Sequence, residues 1–267
     1  MYLSNLLIDT GSNPDRPRPG RLWLRNLYHV HQRLCMAFPS NPRKQRDPHF
    51  LAPYAPDDFP ELRHVADRKK TEIDPQILTD VHTPRTADAG FLFRVDLLQG
   101  GRNMIVVQSA LEPDWDYAFH NAGYLLAAPP ELKVYDPRFS EGDRLSFRLL
   151  ANPTRRLSRH SLREDGQPIE AKDIGKRVPV RDDRLSDWLT RQGESSGFVV
   201  DKDDIVVRPG YVYVNKKGNG QGERLRSVRY DGIFTVTNPH KLQTTLVQGV
   251  GSAKGFGFGL LSIAPLR

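Results

Sequence analysis

The chain has 267 residues, a length that predicts about two domains at roughly 150 residues each. Its one cysteine, Cys35, excludes an intramolecular disulfide and a CxxC metal site, and no apolar run is long enough to span a bilayer. The formal net charge of +7 favours an anionic partner, with nucleic acid ahead of a membrane surface. Because residues 1–10 lack the basic and apolar regions of a secretory signal, we expect a cytoplasmic protein.

The first residues predict a strand followed by a helix. Residues 2–9 supply the strand, and residues 21–38 carry apolar side chains at the three- and four-residue spacing of a helix. Pro39 ends this helix, because proline cannot continue the helical hydrogen-bond pattern. Residues 39–90 are polar and rich in proline, which predicts a loop with a short helix within residues 61–80.

Three strands are predicted next. The apolar runs 91–98 and 103–111 flank Gly100 and Gly101, an arrangement that is typical of a hairpin. Residues 143–151 alternate between apolar and polar side chains, as a half-buried strand does. The first half of the chain is therefore predicted to run β-α-β-β, then a linker and a strand.

The second half repeats this order more loosely. Its predicted elements are a helix at 182–192, strands at 198–200 and 205–207, a basic hairpin at 211–234, a helix at 239–247 and a strand at 258–263. Two β-α-β-β-α-β units predict an α+β protein of two tandem ferredoxin-like, or RRM-like, domains. We place the boundary near Asn152-Pro153, which gives domains of residues 1–151 and 152–267.

The helix at 21–38 carries the first candidate for chemistry. Tyr28 and His31 lie three residues apart, so one helix face presents both side chains. Histidine can give or take a proton near neutral pH, and tyrosine can donate a hydrogen bond to a developing oxyanion. His29 projects from another side of the helix and is not part of this pair. On residue type alone, a packed or solvated histidine is the alternative interpretation of His31.

The second candidate is a glycine-rich segment near the carboxyl terminus. Its glycines surround Lys254 and are Gly249, Gly251, Gly255, Gly257 and Gly259. Glycine lets the backbone approach a ligand, and successive N–H groups bind anions, so the segment predicts a phosphate-binding loop. The GxGxxG spacing is absent and a helix precedes the loop, which argues against a dinucleotide site. The histidines are dispersed without metal-ligand spacing, so we expect neither a metal nor a cofactor.

Two basic clusters are candidate nucleic-acid contacts. Residues 208–229 contain six lysines and arginines and a single acidic residue, Glu223. A basic two-stranded ribbon suits a nucleic-acid groove, and a solvated surface hairpin is the alternative. Arg155 and Arg156 follow Asn152-Pro153 and form the other cluster, which also fits a solvated linker. The residues we select from the ribbon are Lys216, Lys217, Arg224 and Arg226.

Four segments, in order along the chain, carry a resemblance to a known family. They are NLYHVHQRLCMAF at 26–38, SALEPDWD at 109–116, RLSFRLLANPTRR at 144–156 and GVGSAKGFGFGLLSIAP at 249–265. Their pattern resembles the CasE family, the endoribonucleases that process CRISPR RNA in the type I-E Cascade complex. The terminal glycine motif is highly specific, and the Tyr-x-x-His pair is moderately so.

The resemblance implies a metal-independent endoribonuclease that cleaves the repeat hairpins of CRISPR precursor RNA. The 2′-hydroxyl attacks the scissile phosphate and leaves a 2′,3′-cyclic phosphate and a 5′-hydroxyl. His31 acts as general base or acid and Tyr28 orients the reacting groups, while the glycine loop and the basic residues bind RNA. The implied partners are the precursor RNA, the mature crRNA stem-loop and the other Cascade subunits, without a membrane. Two alternatives stay open: a non-catalytic RRM-like RNA-binding module, and a small-molecule enzyme with a phosphate-binding loop.

Overall fold

The computed structural model of the chain describes residues 1–11, 19–40, 90–98, 102–161, 167–215 and 222–266. The chain forms two compact units, of which the first contains residues 1–91 and 95–135, and the second contains residues 92–94 and 136–267. Each unit contains a four-stranded sheet with antiparallel strand pairs. Along the chain, helices alternate with the strands of each sheet. The predicted α+β class is confirmed.

The first unit is built around a sheet whose order is β2-β3-β1-β4. Its strands are β1 (Tyr2–Ile8), β2 (Phe91–Leu97), β3 (Asn103–Ser109) and β4 (Glu131–Val134). Its described helices are α1 (Pro19–Leu24), α2 (Leu27–Cys35) and α3 (Trp115–Phe119). Strand β1 lies between β3 and β4, and it buries Leu6 and Ile8 because alternate side chains face the core. The buried Trp115 indole donates to the Ser4 hydroxyl at 3.0 Å, which ties α3 to the centre of this sheet.

One predicted helix is two helices in the structure. Asn26 interrupts the helical pattern, and its side chain accepts a hydrogen bond from the Tyr28 amide at 3.2 Å, so α2 begins at Leu27. Helix α3 was not predicted, because its five residues are too short for a periodic apolar pattern. Asp114 caps α3 by accepting from the Tyr117 amide at 2.9 Å.

The second unit contains a sheet of order β10-β5-β9-β8. Its strands are β5 (Arg144–Ala151), β8 (Phe198–Val214), β9 (Glu223–Val236) and β10 (Leu261–Pro265), and a small separate sheet pairs β6 (Thr154–Arg156) with β7 (Arg177–Pro179). Its described helices are α4 (Leu185–Ser196) and α5 (Pro239–Gln248). Arg94, which belongs to this unit, is 4% exposed and donates to the Ser262 hydroxyl at 2.9 Å. The same guanidinium lies 3.5 Å from the carbonyl oxygen of Leu260.

The division between the units differs from the predicted boundary near Asn152-Pro153. The second unit resumes at Asp136, because strand β5 pairs with β9 and β10 rather than closing the first sheet. The fourth strand of the first sheet is β4, where the sequence analysis placed a linker. Strand β4 has only four residues, all of them exposed, and the alternation in Glu-Leu-Lys-Val is too short to distinguish a strand from a linker.

The strands of the basic hairpin are longer than predicted. The two short predicted strands and the start of the ribbon form one 17-residue strand, β8, which pairs with β9 and shifts register between Val200 and Ile205. The last strand begins at Leu261 rather than Phe258, because Gly257 and Gly259 have φ values of 78° and 89°, which a regular strand does not accommodate.

Two further predictions, the helix at 61–80 and the turn at Gly100-Gly101, lie outside the described residues. Of the helices in the described part of the chain, none combines the length and the apolar character that a membrane crossing requires.

Candidate functional site

Tyr28 and His31 lie on a partly buried face of helix α2. Leu27, Val30 and Leu34 are buried and fix the helix on the first unit, whereas Tyr28 and His31 are half-buried. The predicted pair therefore shares one helix and lies three residues apart, close enough for both side chains to meet one ligand.

The His31 ring is held by two neighbours. It stacks on Phe91 with ring centroids 5.5 Å apart and 29° between the planes. The sulfur of Cys35, one turn further along α2, lies 3.6 Å from Nε2 of His31. Phe91 is buried, so it gives the imidazole a rigid apolar wall on one side. Such support limits ring rotation, as a group that transfers a proton at a fixed position requires.

Arg33, two residues after His31, holds helix α2 in place. Its guanidinium donates to the carbonyl oxygen of Ala118 at 3.0 Å and to the side chain of Asn121 at 2.9 Å. These bonds join α2 to Ala118 within α3 and to Asn121 just after it. Burial lowers the pKa of Arg33, although the nearby Tyr124 acts in the opposite direction. This contact is not predictable from local sequence patterns, because Ala118 lies 85 residues further along the chain.

The glycine segment folds as a tight loop in the second unit. Gly249, Gly251, Gly257 and Gly259 have φ values between 75° and 89°, a region that favours glycine. Ala253 also has a positive φ, of 60°, which is uncommon for a residue with a side chain. Glycine at these four positions is therefore required by the backbone conformation of the loop.

Close packing adds a second requirement for glycine. A Cβ at Gly249 would lie 2.8 Å from a Leu92 methyl, and one at Gly259 would lie 2.8 Å from the carbonyl oxygen of Val250. Both distances are shorter than real Cβ contacts allow. Gly259 also donates its amide to the carbonyl oxygen of Leu150 at 2.8 Å, which fastens the loop to strand β5.

The outer part of the loop presents backbone donors. Gly251, Ser252 and Gly255 have amide groups for which no hydrogen bond is present among the described residues, and all three are partly exposed. Lys254 lies between them and is half-buried. The arrangement can bind an oxyanion through successive N–H groups.

The loop is connected to the Asn152 turn. The Ser252 hydroxyl lies 3.2 Å from the carbonyl oxygen of Asn152 and 3.3 Å from the hydroxyl of Thr154. Thr154 begins strand β6, on which Arg155 and Arg156 are exposed. The structure therefore joins the predicted glycine loop to the strand that carries one of the two predicted basic clusters.

The two predicted arginines of the basic ribbon differ in how far they are exposed to solvent. Arg224 is exposed and lies with its guanidinium carbon 3.5 Å from the ring centre of Tyr211, a cation–π contact. Arg226 donates to the Tyr211 hydroxyl at 2.6 Å and pairs with Asp182, and its side chain is only 10% exposed. Arg224 is thus presented to solvent, while Arg226 is largely committed to contacts within the unit.

Sequence reasoning missed the aromatic part of the ribbon. Tyr211 and Tyr213 are 47% and 65% exposed, and the register pairs them with Arg226 and Arg224. The alternation Tyr-Val-Tyr-Val opposite Arg-Leu-Arg was the signal that could have shown it. The predicted Lys216 and Lys217 lie outside the described residues.

A second arginine cluster on the sheet was also missed. Asp231 accepts from Arg148 at 2.6 Å, from Arg208 at 2.7 Å and from Arg229 at 2.6 Å. Burial raises the pKa of Asp231, but hydrogen bonds from Arg148 and Arg229 outweigh it and hold that pKa below its usual value. Three guanidinium groups around one carboxylate leave a net positive charge on the sheet.

The comparisons with known proteins agree with one another. The family model described as "CRISPR associated protein" matches residues 76–265. The chain is 30% identical over 171 residues to the CRISPR-associated endoribonuclease Cse3 of Thermus thermophilus, which spans 61% of this chain and 73% of that protein. It is 27% identical to the CRISPR system Cascade subunit CasE of Escherichia coli, over 100% of both chains.

The fold is similar over its whole length to that of a solved relative. The structure of CRISPR endoribonuclease Cse3 bound to a 19-nucleotide RNA aligns with a TM-score of 0.65 and 26% sequence identity. The alignment covers 99% of this chain and 100% of that chain. The family match extends over most of the chain, and both relatives are named as CRISPR proteins. The chain therefore belongs to the CasE family of CRISPR-associated proteins, as the four sequence segments predicted.

Proposed function

We propose that the protein is a metal-independent endoribonuclease that cleaves the repeat hairpins of CRISPR precursor RNA. The observation that carries this proposal is the full-length likeness to an endoribonuclease solved with RNA bound, at 26% identity. The 2′-hydroxyl next to the scissile phosphate is the nucleophile, and the products are a 2′,3′-cyclic phosphate and a 5′-hydroxyl. End-group analysis of the cut RNA tests this directly.

His31 transfers the proton in this reaction, as base on the 2′-hydroxyl or as acid on the leaving 5′-oxygen. The support is chemical and local: imidazole exchanges protons near neutral pH, and Phe91 and Cys35 restrict the ring. A positioned acid or base accelerates such a step by about 100- to 10,000-fold. Tyr28, on the same helix face, orients the reacting groups through its hydroxyl.

The glycine loop binds the phosphate backbone near the cut. Its partly exposed amides at Gly251, Ser252 and Gly255 donate to phosphate oxygens, and Lys254 adds positive charge. Donors fixed in advance stabilise the charge that develops on the phosphoryl oxygens at little cost of rearrangement. Gly249, Gly257 and Gly259 set the shape of the loop rather than its contacts.

Each unit is a ferredoxin-like domain in this proposal. The support is the strand order, since each sheet places its first strand between its third and fourth strands in sequence and has its second strand at an edge. That order, with helices after the first and third strands, is typical of the β-α-β-β-α-β fold.

The ribbon of β8 and β9 binds the RNA stem through phosphates, because the major groove of A-form RNA is too deep and narrow for side chains to read. We expect Arg224→Ala to weaken hairpin binding by roughly fivefold at low salt and to lower the salt slope by about 1. Binding isotherms at several salt concentrations measure both quantities. Arg138→Ala, at a side chain that is 90% exposed, is the matched control and is expected to change neither. If the two substitutions changed the affinity and the salt slope equally, the ribbon would not be part of the RNA-binding surface.

Cleavage is expected to proceed at an unchanged rate in EDTA. The nucleophile belongs to the RNA and the proton moves through a side chain, so no metal-bound water is needed. The assay uses RNA whose hairpin is shown to be folded in monovalent salt alone. Loss of cleavage that a divalent cation restores would contradict this mechanism.

The protein stays on its product as a Cascade subunit. A basic surface that contacts the stem through phosphates is unaffected by cleavage next to the stem, so the cut RNA keeps most of its contacts. Slow release of the mature crRNA and cleavage of about one equivalent of RNA per protein are the expected signs.

A further inference from the structure

The second unit has a strongly basic cavity that the proposed chemistry does not use. Its volume is about 570 Å³, within the range of a pocket for a small ligand or a nucleotide. Strand β6, the segment before α4, helix α4 and strand β8 all contribute to its wall. Its charged lining residues are Arg155, Arg181, Arg184, Asp187, Arg191 and Lys202.

The cavity carries much more positive than negative charge. Five cationic side chains face one carboxylate, so its charged lining has a formal charge of +4. Asp187 is already shared, because it accepts from Lys202 at 2.6 Å and from Arg184 at 3.1 Å. Hydrogen bonds from Lys202 and Arg184 hold the pKa of Asp187 below its usual value, so the carboxylate is charged at neutral pH.

Asp187 also helps to position a third cation. Its backbone carbonyl oxygen accepts from Nε of Arg191 at 3.3 Å, which leaves the two terminal nitrogens of that guanidinium for another partner. Asp183, next to the cavity, lies 3.3 Å from Arg181 and 3.9 Å from Arg184, and all three side chains are more than half exposed. Exposed pairs of this kind are weak and exchange readily for a phosphate.

The cations continue onto the neighbouring small sheet. Arg155 lines the cavity and is followed by Arg156, which the register places directly opposite Arg177. Like charges that face one another across two strands destabilise a sheet unless an anion lies between them. A row of phosphates along a nucleic-acid strand meets this need better than one isolated anion.

We propose that this cavity binds the sugar-phosphate backbone of the hairpin RNA and contributes affinity rather than chemistry. The inference rests on the proposed function for the identity of the RNA. Guanidinium forks bind phosphate oxygens in pairs, and four of the five cations are arginines. An acidic protein segment is the competing occupant and is treated as an outcome of the test.

The test uses the full chain and a hairpin RNA that carries a 2′-deoxy sugar at the cut, so that binding is measured without cleavage. The double variant Arg181→Gln/Arg191→Gln is expected to bind about tenfold more weakly at low salt, with a salt slope lower by about 2. Arg138→Gln is the matched control for loss of an exposed arginine outside the cavity, and it is expected to bind like the wild type.

A second variant moves the charge in the opposite direction. Asp187→Asn raises the formal charge of the cavity lining to +5 and removes the carboxylate that Lys202 and Arg184 share, although Arg184 keeps its weaker pair with Asp183. The variant is expected to bind RNA more tightly and to have a steeper salt slope. If Asp187 served the fold alone, the same change would weaken binding or leave it unaltered. Thermal unfolding of each variant shows whether the chain remains folded.

Unchanged RNA affinity in the double variant would overturn the cavity site. It would also be overturned if the double variant lost binding of polyglutamate while keeping that of RNA, since this result would assign the cavity to an acidic protein. The outcome is separate from that of the proposed function. A wild-type protein that binds the hairpin through this cavity but never cuts unmodified RNA would refute the nuclease and leave the site in place.

Discussion

His31→Ala is expected to reduce the rate of RNA cleavage by about 100- to 10,000-fold and to leave the affinity for the hairpin nearly unchanged. The imidazole contributes a proton transfer in the transition state, whereas the basic side chains and the glycine loop provide affinity. Single-turnover cleavage of unmodified hairpin RNA gives the rate, and binding of the 2′-deoxy hairpin gives the affinity. A loss confined to the rate identifies a group that acts only in the transition state.

His29→Ala is the matched control, because His29 is exposed on the same short helix and is not stacked on Phe91. It is expected to cleave like the wild type. His31→Gln keeps a polar side chain against Phe91 and should be as inactive as the alanine variant, which excludes lost packing as the cause. Cleavage retained by both His31 variants would remove the catalytic assignment. A wild-type protein that binds without cutting would instead favour a non-catalytic RNA-binding module.

A single 2′-deoxy sugar at the cleaved position is expected to abolish cleavage while binding remains within about twofold. Without the 2′-hydroxyl the reaction has no nucleophile, so the loss does not depend on which role His31 takes. The 2′-hydroxyl can both donate and accept hydrogen bonds, but it is one small group within a large contact surface, so we expect only a small effect on affinity. Electrophoresis of the RNA after long incubation measures the first quantity, and a binding titration measures the second.

A deoxy sugar one nucleotide away from the cut is the control and should be cleaved at the normal rate. Mass analysis of the normal products should find a 2′,3′-cyclic phosphate on one fragment and a 5′-hydroxyl on the other. If the deoxy-substituted linkage were cut, water or a protein group would be the nucleophile. That result would refute the mechanism without refuting RNA binding.

Local patterns predicted the elements whose burial repeats regularly. Strand β5 buries Phe147, Leu149 and Ala151, and helix α2 buries residues at the three- and four-residue spacing, so both follow from periodicity. The glycine loop was predictable because Gly249 and Gly259 occupy conformations that favour glycine.

Contacts between distant residues could not be predicted in the same way. Arg226 pairs with Asp182, which lies 44 residues earlier in the chain, so a residue predicted to face RNA is mostly enclosed within its own unit. The basic cavity combines side chains from β6, the segment before α4, helix α4 and β8, and of its cations only Arg155 lies in a segment that the sequence singled out as a nucleic-acid contact. Charge counted along the sequence indicates that a basic surface exists, and only the fold determines which cations share it.

The second unit is discontinuous in the chain, because it includes residues 92–94 as well as everything from Asp136 onward. A fragment that starts at residue 136 would lack Arg94, the buried donor to Ser262, and would also lack Leu92, against which Gly249 is packed. Such a fragment therefore lacks side chains that pack inside its own unit, and a complete second unit needs residues 92–94 as well as the chain from Asp136 onward.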